Sequence, residues 1–327
     1  MFEPPTTPID LTDARPRTDG VVWVLLIPGA GQQPDWEWRH YDVVNAQARQ
    51  AIETDPRLPD IAQSVLLGAD ETPRLLEADG VVAGVLPAFA RTGDSDEHTL
   101  VAWHFALTRH TLITGRRSAA RSLVHLWEAV RRGDYPDGPG ALVDRCIVDF
   151  ARAVRARLAR LATSLDPIED VLLEPRDSAR LADIGRKLGL VRREAVRLKR
   201  ALAPLARTLA DEDEELPEWA LISEHNVSLR LVNSALDDIA ALTDRARSLQ
   251  DELTTRLTEE TNRRLYIVSV VTTLVMPGTF ITGFFGMNTG GMLWSGDEIH
   301  QGTLYAAVLC VLAILLTLLW LKWKRLL

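Results

Sequence analysis

Small and hydroxyl-bearing residues recur at intervals of three and four positions near the C-terminal end of the chain. This spacing places them on one face of an α-helix, which turns once every ~3.6 residues. Such a face can pack closely against another helix, or its oxygens can replace part of an ion's hydration shell in a water-filled pore. Both interpretations stay open at this point. The residues are Asn262, Leu265, Ser269, Thr272, Met276, Thr279, Gly283 and Gly286. We call this row of residues the stripe.

A glycine-rich segment, "GMNTGGMLWSG", occupies residues 286–296 at the end of the stripe. Glycine allows positive φ and close backbone approach, so several copies of the segment could meet at a pore mouth with the Asn288 amide turned inward. A tight turn between two helices would require glycines equally well. Just beyond it, Asp297, Glu298 and His300 form a small group that we interpret as a candidate for capturing cations from outside.

Most of the stripe, from Leu265 to Gly283, lies within the first of two long segments that contain no Lys, Arg, Asp, Glu or His. Leu265–Phe285 has 21 residues and Thr303–Leu321 has 19. As helices they would be about 32 Å and 28 Å long at ~1.5 Å per residue, which matches the hydrocarbon core of a bilayer. The sequence therefore predicts two transmembrane helices, 265–285 and 303–321.

Flanking charges predict the orientation of these helices. Arg263 and Arg264 precede the first, a basic tail over 322–327 follows the second, and the loop 286–302 between them has no Lys or Arg. Because positive residues concentrate on the cytoplasmic side, we expect both termini in the cytoplasm and the loop outside. Residues 1–20 are polar and proline-rich and predict a flexible tail.

Residues 21–218 combine strand and helix patterns. Short β-rich runs at Val21–Ile27 and between residues 74 and 116, with a turn at Asp79-Gly80, predict a sheet. From Ser118 onward only helical patterns remain, so we expect an α/β or α+β cytoplasmic domain. The predicted helices are Asp42–Thr54, Pro59–Gly68, Leu123–Arg132, Leu142–Leu173 and Ser178–Leu209.

A stalk helix is predicted over 219–264. No Pro or Gly interrupts the chain from Ala220 until Pro277, so this helix should continue into the first transmembrane segment. Apolar residues from Leu229 to Leu257 keep steps of three and four, a heptad-like seam that favours association between copies of the chain.

Composition and motifs narrow the function class. Residues 1–264 hold 34 basic and 43 acidic residues, a net charge of −9 that disfavours a nucleic-acid partner. The sequence contains no nucleophile motif and no phosphate-loop motif of the kind found in enzymes, so we expect neither an enzyme nor a cofactor. Cys146 and Cys310 are interpreted as packing residues, the histidines lack metal-ligand spacing, and the acidic run Asp211–Glu215 is interpreted as a solvated loop.

The segment "YIVSVVTTLVMPGTFITGFFGMNTGG" resembles the first transmembrane helix and signature loop of the CorA-type divalent metal ion transporters. The Gly-Met-Asn motif of that family stands here as Gly286, Met287 and Asn288. The Arg-Arg pair before the helix and the Thr-Gly-Gly after the motif are more similar to the ZntB zinc-transporter branch than to the magnesium branch.

This resemblance implies a homopentameric funnel in the bacterial inner membrane. The first transmembrane helix would line a central pore with the stripe from Asn262 to Gly283, and Gly286–Asn288 would form the selectivity filter. The transported ion would be zinc, with magnesium, cobalt, cadmium or nickel as further options. Family accounts of zinc members include proton coupling. Because neither predicted span holds an ionisable residue, coupling would need groups outside the membrane core.

Two alternatives stay open beside zinc transport. One is a magnesium or cobalt channel of the same superfamily. The other is a membrane-anchored metal sensor or scaffold that conducts nothing, in which the two spans serve only as an anchor and the stripe serves only packing.

Overall fold

The computed structural model describes residues 21–28, 35–90, 99–173, 178–210, 217, 219–220, 225–286 and 299–324. Contacts divide the chain into two compact units. The first comprises Met1–Arg176 with Asp183–Leu249, and the second comprises Asp177–Ala182 with Gln250–Leu327. The tail predicted over 1–20 and the acidic run 211–215 lie outside the described residues.

The first unit contains a six-stranded sheet with the spatial order β1-β2-β6-β5-β4-β3. Only β2 and β6 pair in parallel, and every other neighbouring pair is antiparallel. The strands are β1 (Val21–Ile27), β2 (Trp36–Asp42), β3 (Arg74–Ala78), β4 (Val81–Phe89), β5 (Leu100–Leu107) and β6 (Thr111–Arg116).

The predicted turn at Asp79-Gly80 is confirmed as the hairpin between β3 and β4. Both residues have positive φ, 51° and 74°, the conformation that a tight two-residue hairpin turn needs. Strand β2 was not predicted, although Trp36, Trp38 and His40 alternate as buried residues along it. Glu37 and Arg39 between them complete the period-two alternation of a half-buried strand, so the sequence carried this signal.

Helices cover both faces of the sheet, and β4 is therefore buried along its whole length. On one face α1 (Ala46–Glu53) and α2 (Asp60–Leu67) pack against Val81, Val85 and Ile113. Helices α3 (Arg121–Arg131) and α4 (Pro139–Thr163) also contact β4. The predicted α/β or α+β architecture of this part of the chain is thereby confirmed.

The single helix predicted over Leu142–Leu173 is wrong. The chain forms α4, which ends at Thr163, and a separate helix α5 (Asp166–Leu173). Pro167 explains the break, since proline has no backbone N–H and disfavours a helical conformation at the residue before it. Leu165, between the two helices, is fully buried and fixes the junction.

Three longer helices follow: α6 (Ser178–Ala210), α7 (His225–Gly286) and α8 (Ile299–Trp323). Helix α7 runs without interruption through 62 residues and includes Pro277, so the predicted continuation from stalk into apolar segment is confirmed. Its described start is His225, a few residues after the predicted boundary at 219.

The apolar seam of α7 is occupied within the first unit. Val232, Ile239, Leu242 and Leu249 are buried in the single chain. Ion pairs flank them, from Arg245 to Asp166 and Glu169 of α5 and from Arg155 of α4 to Asp238. Over this range the seam is therefore internal packing of one chain, and the interpretation of it as a surface for association between copies is wrong.

Candidate functional site

The structure places the predicted stripe on one exposed face of α7. The side chains of Leu265 and Met276 are 60% and 70% exposed, respectively, although both are large and apolar. The smaller members between and around them are also exposed in the single chain. They are Asn262, Ser269, Thr272, Thr279 and Gly283.

A different face of α7 packs against α8. A Cβ built on Gly278 would lie 3.9 Å from Ile314 Cδ1, and Cys310 Sγ donates a weak hydrogen bond of 3.8 Å to the Gly278 carbonyl. Val270, Leu274, Pro277 and Ile281 share this half-buried face. Contact with α8 thus accounts for one set of residues on α7, and none of them belongs to the stripe.

The stripe points away from that contact. At ~100° per residue, its members from Asn262 to Gly283 lie between about 100° and 200° around the helix axis from Gly278. Val270, Leu274, Pro277 and Ile281 lie within about 100° of Gly278 on the opposite side. Packing against α8 therefore does not explain why the stripe is small and polar, and the packing interpretation survives only for contacts with other copies of the chain.

The threonines of the stripe expose oxygens whose protons are already engaged. Thr272 Oγ1 donates to the Val268 carbonyl at 2.8 Å, and Thr279 Oγ1 donates to the Val275 carbonyl at 3.0 Å. With the proton held by the helix backbone, each hydroxyl presents only lone pairs outward. Such a row of neutral acceptors suits a cation and offers nothing to an anion.

This back-bonding is not confined to the stripe. Thr282 Oγ1 donates to the Gly278 carbonyl at 3.0 Å and is also exposed, but it lies only about 40° from Gly278 around the axis. Thr282 therefore has the chemistry of Thr279 without its position. The face on which a hydroxyl lies, and not the hydroxyl itself, distinguishes the stripe.

Large apolar side chains surround the stripe and are exposed as well. Phe280 is 75% exposed, and Ile267, Val271 and Phe284 are exposed by about half. Among the residues that the structure describes, α7 is long and apolar enough to cross a membrane, and the apolar part of α8, Ala307–Trp323, is shorter. So much exposed apolar surface is unfavourable in water and needs lipid or protein to cover it.

The structure describes only some of the residues predicted to form the filter and to capture cations. Gly286 is the last residue of α7, whereas Met287, Asn288, Asp297 and Glu298 lie outside the described residues. His300 stands in the first turn of α8. The roles assigned to these residues stay predictions.

In the part of the chain that the structure describes, no three His, Cys, Asp or Glu side chains form a group that could hold a resident metal ion. His104 is buried, with its Nδ1 2.7 Å from the Val65 carbonyl, and burial lowers the pKa of its imidazole. A buried neutral histidine bonded to a backbone carbonyl has a structural role in the core.

Comparison with known proteins gives consistent results. A family model described as "CorA-like Mg2+ transporter protein" matches residues 34–325. A curated protein named "Zinc transport protein ZntB", from Cronobacter sakazakii, is 26% identical over 286 residues, which cover 85% of this chain and 83% of that protein.

Two solved structures share the fold. The full-length CmaX protein has a TM-score of 0.74 at 20% identity, with coverage of 94% of this chain and 98% of that one. The CorA magnesium transporter from Methanocaldococcus jannaschii has a TM-score of 0.70 at 17% identity, with coverage of 90% and 92%. At these identities the likeness shows a common fold, an α/β unit followed by a long apolar helix.

Gly278 and Gly283 of α7 should respond differently to enlargement. In Gly278→Leu the new side chain must enter the contact with Ile314 and Cys310, so we expect a loss of about 1–3 kcal/mol of stability. In Gly283→Leu no atom lies within 4 Å of the new Cβ, so the stability of the single chain should not fall. Thermal unfolding in mild detergent measures both, and equal loss in the two variants would contradict the assignment of faces.

Proposed function

The chain belongs to the family of CorA-like Mg2+ transporter proteins, a family of ion transporters and not of enzymes, and from this premise we propose that it carries divalent metal cations across a membrane. The sequence resemblance to this superfamily is thereby confirmed. The observation that carries the proposal further is the stripe on α7, which is polar, exposed and turned away from α8.

A pore built on this stripe needs several copies of the chain. Two helices per chain cannot enclose an aqueous path, so the stripe of each copy has to face a common axis while α8 lies outside it. We propose a homopentamer, as the family resemblance implies, and the proposed contact surface is the apolar segment of α7 instead of its buried seam. Lipid would then cover Phe280, Ile267 and the exposed side of α8.

The proposed membrane arrangement places the segments 265–285 and 303–321 across the bacterial inner membrane, with both termini in the cytoplasm. An entering ion would meet Asp297 and Glu298 in the loop and His300 at the start of α8, and then the filter formed by Gly286, Met287 and Asn288. It would next pass the exposed oxygens of the stripe and leave beyond Asn262. The membrane potential favours inward movement of a divalent ion by about 4.6 kcal/mol per 100 mV, so ATP is not required.

Zinc is the ion we propose. The support is the similarity to a protein named for zinc transport at 26% identity, and the Arg-Arg and Thr-Gly-Gly context of the filter motif agrees with it. A magnesium or cobalt channel is the second candidate, supported by the structural likeness to a magnesium transporter. Cadmium and nickel are further test ions because their divalent charge is the same.

Uptake into liposomes tests ion and mechanism together. Purified protein should carry zinc faster than magnesium or cobalt at equal driving force, and an imposed proton gradient should change the zinc rate if transport is coupled to protons. Faster magnesium or cobalt uptake would replace zinc in the proposal. Uptake no faster than in empty liposomes, from correctly assembled protein, would instead favour the anchored sensor or scaffold.

Two threonines provide a matched test of the stripe. Thr279→Val removes an exposed oxygen from the proposed pore and keeps the side-chain shape, so divalent flux should fall about three- to tenfold, corresponding to ~1 kcal/mol per contact. Thr282→Val removes an equivalent back-bonded hydroxyl on another face and should leave flux unchanged. Liposome uptake at matched protein content measures both, and an equal effect of the two changes would remove the stripe from the pore.

Asn288 is the residue through which the filter can be tested. Asn288→Ala should leave folding and assembly intact and reduce divalent flux sharply, because every copy of the chain would lose one amide that holds the entering ion. The measurement is zinc uptake together with the oligomer mass in detergent. Wild-type flux in this variant would mean that the glycine-rich segment is only a turn between helices.

A further inference from the structure

Helix α8 has an apolar face that is turned away from α7. Ile314 of α8 lies against Gly278, and the residues on the opposite side of the helix, within about 60° of that direction, are all apolar and exposed by half or more. We call them the outer face of α8. They are Leu312, Leu316, Leu319, Trp320 and Trp323. In the proposed membrane arrangement, on which this inference rests, the outer face meets lipid.

The outer face has the length of one leaflet. It ends in Trp323, which is 79% exposed and whose ring suits the membrane–water interface, because its body is apolar and its N–H is polar. Leu312 lies eleven residues earlier, about 16 Å along the helix at ~1.5 Å per residue. This is close to half of the ~30 Å hydrocarbon core of a bilayer. With Trp323 at the level of the headgroups, the leucines face the acyl chains of the cytoplasmic leaflet.

Two lysines flank the interfacial end of this face. Lys322 and Lys324 are exposed and lie ~100° to either side of Trp323 around the helix axis. The Lys324 ammonium is 5.9 Å from the centroid of the Trp323 ring, and neither lysine forms an ion pair with a described residue. Arg264 differs from them, since its guanidinium pairs with Glu260. Two ammonium groups at the end of an apolar face are complementary to an anionic group that is attached to apolar chains.

The cytoplasmic end of α7 adds to this positive charge. Arg263 lies two residues before the apolar segment, is exposed, and forms no ion pair with a described residue. The acidic residues nearest to it in sequence, Glu259 and Glu260, lie about one turn further from that segment. The loop 286–302 at the opposite end holds no Lys or Arg. The helix pair therefore carries positive charge toward one leaflet only.

We propose that the outer face of α8, with Lys322 and Lys324, binds an anionic phospholipid of the cytoplasmic leaflet. The acyl chains lie on the leucines, and the headgroup phosphate lies at the two ammonium groups, where the Trp323 indole can donate a further hydrogen bond. A zwitterionic phospholipid offers the same phosphate, but its own ammonium group is repelled by the lysines. The site therefore prefers phosphatidylglycerol to phosphatidylethanolamine with the same acyl chains.

Native mass spectrometry of the full chain in mild detergent tests this preference. Dioleoyl phosphatidylglycerol should bind at least about fivefold more tightly than dioleoyl phosphatidylethanolamine, the contribution of one basic residue near an anionic membrane surface. Equal retention of the two lipids would overturn the proposal. Glycerophosphoglycerol, the headgroup without acyl chains, should not displace the bound lipid. Displacement at equal concentration would mean that the headgroup binds alone and that the outer face has no part in binding.

Lysine variants locate the site. Lys322→Gln and Lys324→Gln should each weaken phosphatidylglycerol binding by about fivefold and leave phosphatidylethanolamine binding unchanged. Lys324→Arg keeps the charge and should keep the preference. Lys199→Gln removes an exposed lysine on α6 in the first unit and should have no effect. Arg263 and Arg264 remain in every variant and preserve the orientation in the membrane. Equal weakening by Lys199→Gln and Lys324→Gln would show non-specific charge attraction and overturn the site.

Zinc uptake is measured separately, in liposomes of phosphatidylcholine with and without phosphatidylglycerol. A preference for the anionic lipid in a chain that carries no zinc would support the lipid site and contradict the proposed conduction. Zinc uptake by a chain that shows no lipid preference would overturn the lipid site and leave conduction intact. The two proposals can therefore fail independently.

Discussion

The approach of α8 to α7 at Gly278, where the Cys310 thiol meets the Gly278 carbonyl, is the contact that determines the direction of the stripe. A helix turns by a fixed angle per residue, so fixing one face by packing also fixes the direction of every other face. At this point the Cys310 thiol reaches the Gly278 carbonyl, and a Cβ at position 278 would lie at van der Waals distance from Ile314, so the space between the helices there admits only a small side chain. The hydroxyl stripe points away as a geometric consequence, and its small residues then require another neighbour or water.

Periodicity made a large part of this architecture predictable. The hairpin at Asp79-Gly80, the uninterrupted α7 and the stripe itself follow from local patterns of two or ~3.6 residues. Local patterns cannot predict a contact whose partner lies in a distant part of the chain. The seam of α7 has the spacing of an oligomer surface, but α4 and α5 supply ion-pair partners around it from positions about 80 residues earlier.

The same limit applies to the stripe. Spacing gathers it on one face, but which face meets α8 depends on residues more than thirty positions away, so only the structure excludes packing against α8 as the reason for its small residues.

The chemistry of the stripe is suited to passage more than to storage of an ion. A ring of carboxylates inside the membrane would bind a divalent cation strongly, and it would be costly to keep ionised there. Neutral oxygens attract the ion more weakly, so it can both enter and leave. Because the hydroxyl protons of Thr272 and Thr279 already bond to the backbone, these oxygens need no rearrangement when an ion arrives. In the proposed path the charged residues therefore lie in the loop and on the cytoplasmic side, where water can solvate them. The apolar segment contributes only neutral acceptors whose positions the helix fixes.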